Sequence, residues 1–222
     1  MKTFCVSLFI LLNCSANITA QMTDFNDYAI TNGKTQLLSN SLFSNSNSQN
    51  NIFYLFDKWE NNATIVLNGK EFLIKNLNFD TQQGKFVSQI TKDSLFTFYN
   101  LDKVLISGST FVNIDNKFYE NLTNDSSDYM FLKEHYIKET KPEVHVITNK
   151  VIKPGQKKLM YKYFFYLNDD LIQVELKKKD ILKIFKSKQN EVTSFVKSNK
   201  LSYKKEEDVT KIFNYYYKSQ SN

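Results

Sequence analysis

"TIVLNGKEFLIKNLNF", residues 64–79, decides the fold class. Asn68-Gly69 can place two successive residues at positive φ, as a two-residue type I′ turn demands, and both flanks are rich in β-branched and aromatic residues. The stretch therefore predicts an antiparallel hairpin with strands over 63–67 and 70–78. The same texture continues outward: strands are expected over 85–90, 94–100, 103–107 and 110–114, separated by "TKDS", "LD" and "SGS", and over 129–138 after the loop "NDSSD". "VIKPGQKK" (151–158) offers a Pro-Gly turn, and "LMYKYFFYLNDDLIQVEL" (159–176) reads as a last hairpin about Asn168-Asp169-Asp170. Eight or nine strands between about 52 and 177 result.

The period then changes. Asp180 can serve as an N-cap, and at about 100° per residue Ile181, Ile184, Phe185, Val192, Phe195 and Val196 share one side, which predicts a helix over 180–198. Lysines crowd this region in "LKKKDILKIFKSK" (176–188), but Lys183, Lys186 and Lys197 fall opposite the apolar stripe, and Lys188 can lay its stem along apolar surface while its ammonium reaches water. They read as a solvated face. A second helix is expected over 205–218, where Glu206, Glu207 and Asp208 meet the positive end of the helix dipole and Val209, Ile212, Phe213 and Tyr216 form a stripe. The fold class is α+β: an antiparallel meander, curled or folded into a sandwich, with two C-terminal helices packed on it because their stripes need a partner.

The opening "MKTFCVSLFILLNCSANITAQ" has one charge at Lys2, an apolar run from Phe4 to Leu12 and small or polar residues up to Ala20, the layout of a secretory signal cleaved after Ala20. A lipoprotein anchor at Cys14 is not expected, because Asn13 stands where such signals want a small residue. Cys5 and Cys14 both lie in the signal, so the processed chain would have no thiol, which excludes disulfide stapling, thiolate metal sites and a cysteine nucleophile. No later run reaches the roughly 20 apolar residues of a membrane helix. The expected product is periplasmic or extracellular, with 21–51, ending in "SNSLFSNSNSQNN", an exposed leader or covering loop and 52–222 a single domain.

All 29 basic residues are lysine, and charge is uneven: residues 21–130 carry 8 Lys against 12 acids, residues 131–222 carry 20 Lys against 11. Sequence-reading nucleic-acid interfaces depend on the planar arginine fork, so no nucleic-acid partner is expected; weak, salt-screened association with anionic surfaces is.

The chemistry-bearing residues form no catalytic constellation. His135 and His145, ten apart, match neither HExxH nor a two-histidine, one-carboxylate pattern and read as polar surface residues, so no metal is expected. "SGST" (107–110) has serines and a threonine beside Gly108 but fits a hairpin turn, and Gly33, Gly69, Gly84, Gly108 and Gly155 are too scattered to cradle phosphate. Asp169-Asp170 read as turn residues, Glu206 to Asp208 as a helix start, and Trp59 and Tyr215 to Tyr217 as packing rather than sugar platforms. Asn62, Asn121 and Asn124 open formal glycosylation acceptors.

"YLFDKWENNATIVLNGKEFLIKNLNFD" (54–80), "STFVNI" (109–114) and "LKKKDILKIFKSKQNEVTSFVKSNKLSYKKEEDVTKIFNYYYK" (176–218) resemble a family of exported Bacteroidetes proteins, over about residues 52–218. No activity is attached to that family, so the resemblance implies export and transfers no catalytic role. The expectation is a non-enzymatic envelope protein, binding or structural, without a cofactor. Two alternatives stay open: a carrier of lipid or another apolar ligand in a half-open sheet lidded by helices, and a polysaccharide or peptide hydrolase whose acids converge from distant positions.

Overall fold

The computed structural model describes residues 35–38, 54–91, 94–123 and 129–218. The expected signal, with Cys5 and Cys14, Asn124 and most of 21–51 lie outside them. The architecture is α+β, dominated by antiparallel strands, with helices at its C-terminal end. The chain forms two compact units, the first built mainly from residues up to Gly108 and the second mainly from Ser109 onward.

The first unit holds β1 (Thr35–Leu38), β2 (Asn62–Leu67), β3 (Lys70–Lys75), β4 (Leu77–Asp80), β5 (Lys85–Thr91), β6 (Ser94–Phe98) and β7 (Lys103–Ile106). The hairpin expected at Asn68-Gly69 is present: their φ values are 51° and 71°, and β2 pairs β3 from Leu67↔Lys70 to Asn62↔Lys75. Ala63, Ile65 and Leu67 are buried at a period of two, and β7 pairs the other edge of β2. The strand expected over 70–78 is broken. Asn76 takes φ 53°, and the Asn61 side chain accepts from the Leu77 amide at 3.2 Å and donates to its carbonyl at 2.7 Å, standing in for a strand neighbour. The residues after the break become β4, which pairs β5 in an antiparallel sheet of order β1-β6-β5-β4. Within 21–51, read as leader or loop, Thr35–Leu38 forms a strand antiparallel to β6, and the remainder of that stretch lies outside the described residues.

The second unit holds β8 (Ser109–Ile114), β9 (Lys117–Asn121), β10 (Tyr129–Glu139), β11 (Glu143–Val144), β12 (Val151–Lys153), β13 (Lys157–Leu167), β14 (Asp170–Val174) and helices α1 (Lys178–Ile184), α2 (Gln189–Ser198) and α3 (Glu206–Lys218). Its sheet runs β14-β13-β10-β9-β8, with every pair antiparallel. Asn168 and Asp169, at φ 52° and 66°, make the expected last turn. β9 was not expected, although Asp115-Asn116 at φ 53° and 63° makes the same kind of two-residue turn as Asn68-Gly69.

The single helix expected over 180–198 is two, joined by a 3₁₀ turn at Lys186–Lys188 with Lys186 at φ 41°. Residues 186–191 are all exposed, so no apolar side chain between Phe185 and Val192 holds a straight helix to its support. Lys177, not Asp180, is the N-cap of α1; Asp180 sits in the first turn, where the dipole still favours its charge. The stripes themselves are as expected: Ile181, Phe185, Val192, Val196, Val209, Ile212 and Phe213 are buried with Phe131 and Phe165 of the sheet in one apolar cluster. Phe213 stacks on Phe131 and Phe165 at centroid distances of 4.9 and 4.8 Å and meets Phe185 at 5.2 Å.

β10 and β13 are eleven residues each and pair from Tyr129↔Leu167 to Glu139↔Lys157. Beyond them the ribbon continues as an arm in which every residue from Lys138 to Lys158 is exposed. The Thr140 amide donates to the Gln156 carbonyl at 2.9 Å and the Gln156 amide to the Thr140 hydroxyl at 2.9 Å, after which Glu143↔Lys153 and Val144↔Val151 pair. Pro154-Gly155 is therefore no tight turn but the inner side of this neck. A Cβ on Gly155 would lie 2.5 Å from the Thr140 carbonyl oxygen, a backbone atom that cannot swing aside. Gly155→Ala is expected to open the neck and raise amide exchange at Thr140 and Gln156, leaving β10 and β13 below it unchanged; hydrogen exchange read by NMR checks this.

Candidate functional site

Three places on the second unit carry chemistry, and the arm is the most exposed. Among its aliphatic side chains Val146 and Ile147 are 93% and 87% exposed, and Val144, Val151 and Ile152 are 45–60% exposed. Val144 and Val151 are cross-strand neighbours, and Val146 and Ile147 lie in the connection beyond them, which is closed by hydrogen bonds from His145 N to Lys150 O and from Asn149 N to His145 O, both 2.8 Å. His145 is thus the surface residue expected, with Nδ1 accepting from the Thr148 amide at 3.3 Å. Residues 138–158 hold six lysines (138, 141, 150, 153, 157 and 158) against Glu139 and Glu143, and contain no aromatic residue. A folded chain buries aliphatic groups where it can, and an apolar cluster left in water commonly marks a contact surface.

The second place is a polar cluster on the face of the sheet that also carries the helices. Lys133 and His135 follow Phe131 at a period of two and lie opposite Tyr163 and Tyr161 of β13. His135, read from sequence as a surface residue, is buried, with Nε2 2.7 Å from Glu120 Oε2. Ser109 donates to the other oxygen of that carboxylate at 2.7 Å. Lys133 Nζ is 4.0 Å from Glu120, 2.9 Å from Glu206 Oε2 and 4.6 Å above the Tyr161 ring. The Tyr163 hydroxyl donates to Glu206 at 2.8 Å. Burial pushes the Glu120 carboxyl up, but hydrogen bonds from His135 and Ser109 and attraction to His135 and Lys133 outweigh it and hold the group below its usual range. Burial, and then the bond to Glu206, push the Tyr163 phenol up, so it remains a donor.

Ser109, Glu120 and His135 are the residue types of a hydrolytic triad in the wrong order. A nucleophilic serine must hand its proton to the imidazole; here the carboxylate lies between the two and takes both bonds. The cluster instead ties α3 to the sheet through Glu206, which was read as a helix start and is also the partner of Lys133 and Tyr163. Its one irregularity is His135 Nδ1, buried and unpartnered among the described residues.

The third place is a groove of about 380 Å³ between β14 and α1, lined by Ile172, Gln173, Val174, Glu175, Asp180, Lys183 and Ile184. Its two carboxylates are each met by a lysine: Glu175 by Lys177, and Asp180 by Lys183 at 3.6 Å.

The other residues singled out from sequence are dispersed. Asp169 sits in its turn and accepts from Tyr166 at 2.7 Å. Trp59 packs edge-on against Tyr54 at 4.7 Å, Tyr215 stacks on Phe195 at 3.8 Å and Tyr217 on Tyr129 at 4.2 Å, so these rings pack as expected. Asn121 is buried and accepts from the Thr123 amide and hydroxyl at 3.0 and 2.7 Å, which removes it as a glycan acceptor in the folded chain. Among the described residues no three acids or histidines gather as metal ligands, and no helix is long and apolar enough to cross a membrane. Comparison with protein-family models, with curated proteins and with solved structures finds no match to this chain.

Proposed function

We propose that this chain is an exported protein of a bacterial cell envelope that works by binding, and that the arm between β10 and β13 is its contact element. The observation that carries the reading is the arm itself: 21 consecutive exposed residues with aliphatic side chains at the far end, on a hairpin whose base is locked into the longest strand pair of the second unit. Export rests on the apolar opening of the sequence, and binding rather than catalysis on the way the carboxylates of the polar cluster and of the groove are already engaged.

The carrier alternative draws support from the order of strands followed by helices. The rings of Phe131, Phe165 and Phe213 stand in contact where a ligand between sheet and helices would lie, so the contact reading is preferred. Replacing Val146 and Ile147 by serine tests it. Both side chains are surrounded by water, so circular dichroism and thermal stability should stay within about 0.5 kcal/mol of the parent, while retention on envelope material from the producing cell should fall several-fold. Unchanged retention would remove the arm from the function.

A further inference from the structure

Resting on the reading of the arm as contact element, we infer that what it contacts is an anionic lipid bilayer, with Val146 and Ile147 entering the boundary between headgroups and acyl chains and the lysines behind them lying against lipid phosphates.

The argument is one of charge and composition. The centre of a protein–protein interface is enriched in aromatic residues, methionine and arginine and depleted in lysine. From Lys138 to Lys158 the arm has none of the first three and six lysines. Lys150 and Lys153 flank Val151 and Ile152 directly, so a partner that covers the aliphatic groups also covers these ammonium groups. A partner surface must then be apolar beneath the tip and negative on balance around it, since Glu143, opposite Lys153, is the one acid beside the aliphatic groups. A bilayer containing acidic lipids has that profile whatever the rotation of the arm about its own axis, whereas a protein would need acids placed to match each lysine.

Geometry agrees. The most exposed aliphatic pair is at the far end, and the lysines follow at increasing distance: Lys150, then Lys153 and Lys141, then Lys138, Lys157 and Lys158. The seven residue steps from Lys138 to His145, where the chain turns, span at most about 23 Å of extended chain, long enough for the tip to reach the acyl boundary while the base of the arm stays in water. Of these lysines, Lys157 is engaged by Glu139 at 2.8 Å; the near-tip Lys150 and Lys153 carry the contact. No covalent or transmembrane anchor is needed, and the association is reversible.

The test is co-sedimentation of the purified chain with vesicles of phosphatidylcholine alone and of phosphatidylcholine mixed with phosphatidylglycerol. Binding is expected on the mixed vesicles, weakening as salt rises, with little on the neutral ones. Val146→Ser with Ile147→Ser should reduce it about tenfold or more through the lost apolar contact. Lys150→Gln and Lys153→Gln should each reduce it about fivefold. A Val146→Trp variant should show blue-shifted emission only on the mixed vesicles. No binding to the mixed vesicles, equal binding to both compositions, or full binding by the arm variants would overturn the inference. A photoreactive group at position 147 separates this failure from that of the broader reading. Cross-linking to an envelope protein without vesicle binding would overturn the lipid partner and leave the arm as contact element. Neither cross-linking nor vesicle binding would overturn both.

Discussion

Phe213→Ala is expected to lower the stability of the second unit by about 3–5 kcal/mol, the cost of emptying an aromatic site in a packed core. Phe213 is fully buried and touches rings from three elements, Phe131 on β10, Phe165 on β13 and Phe185 just after α1, so relaxation of any one leaves the void open to the others. Urea unfolding followed by near-ultraviolet dichroism measures it. The loss should exceed that of Phe195→Ala, whose ring stacks on Tyr215 at the partly exposed outer side of the helices. A Phe213→Ala change costing under about 1 kcal/mol would mean that the helices do not cap the sheet as described.

Lys133→Met should cost about 2 kcal/mol, less than the loss of one partner of a fully buried pair because these side chains are not completely closed off. Lys133 keeps 16% of its side-chain surface exposed and Glu206 29%. Without the ammonium group, Glu120 and Glu206 lose the cation that lies near both. The variant should also change the response to acid. A carboxyl held below its unfolded value stabilises the fold above that value and loses the contribution as pH falls through its folded value. Glu120 is such a group, so the parent should lose stability as pH drops below the ordinary carboxylate range. Lys133→Met, which removes one of the attractions holding Glu120 down, should make that loss smaller and bring it to its end at a higher pH. Denaturant titrations across the acid range check both the size and the displacement.

Much of the framework was legible because local chemistry dictates it. Asn68-Gly69 can do little but turn, the stripes of α2 and α3 are periodic, and the rings of Trp59 and Tyr215 to Tyr217 pack because large apolar groups do. What was missed required partners distant in sequence. Asn61 breaks the long strand at Asn76 from fifteen positions away, and Thr35–Leu38 becomes a strand only because β6 offers it an edge. β9 has a different reason: Asp115-Asn116 is a usable turn signal that does not stand out in a stretch rich in asparagine. The polar cluster was illegible in principle, since Ser109, Glu120, Lys133, Tyr163 and Glu206 belong to five elements and only their pairing and packing bring them together. The arm was readable in part: "EVHVITNKVIK" is a plain aliphatic and lysine run, but its exposure follows from β10 and β13 outrunning every neighbour.

Hydrogen exchange on the purified chain, with and without membranes from the producing cell, tests the working surface most directly. Slowed exchange confined to residues 143–153 is the predicted result. Slowed exchange over Ile172–Ile184 with the arm unaffected would contradict it and move the site to the groove between β14 and α1.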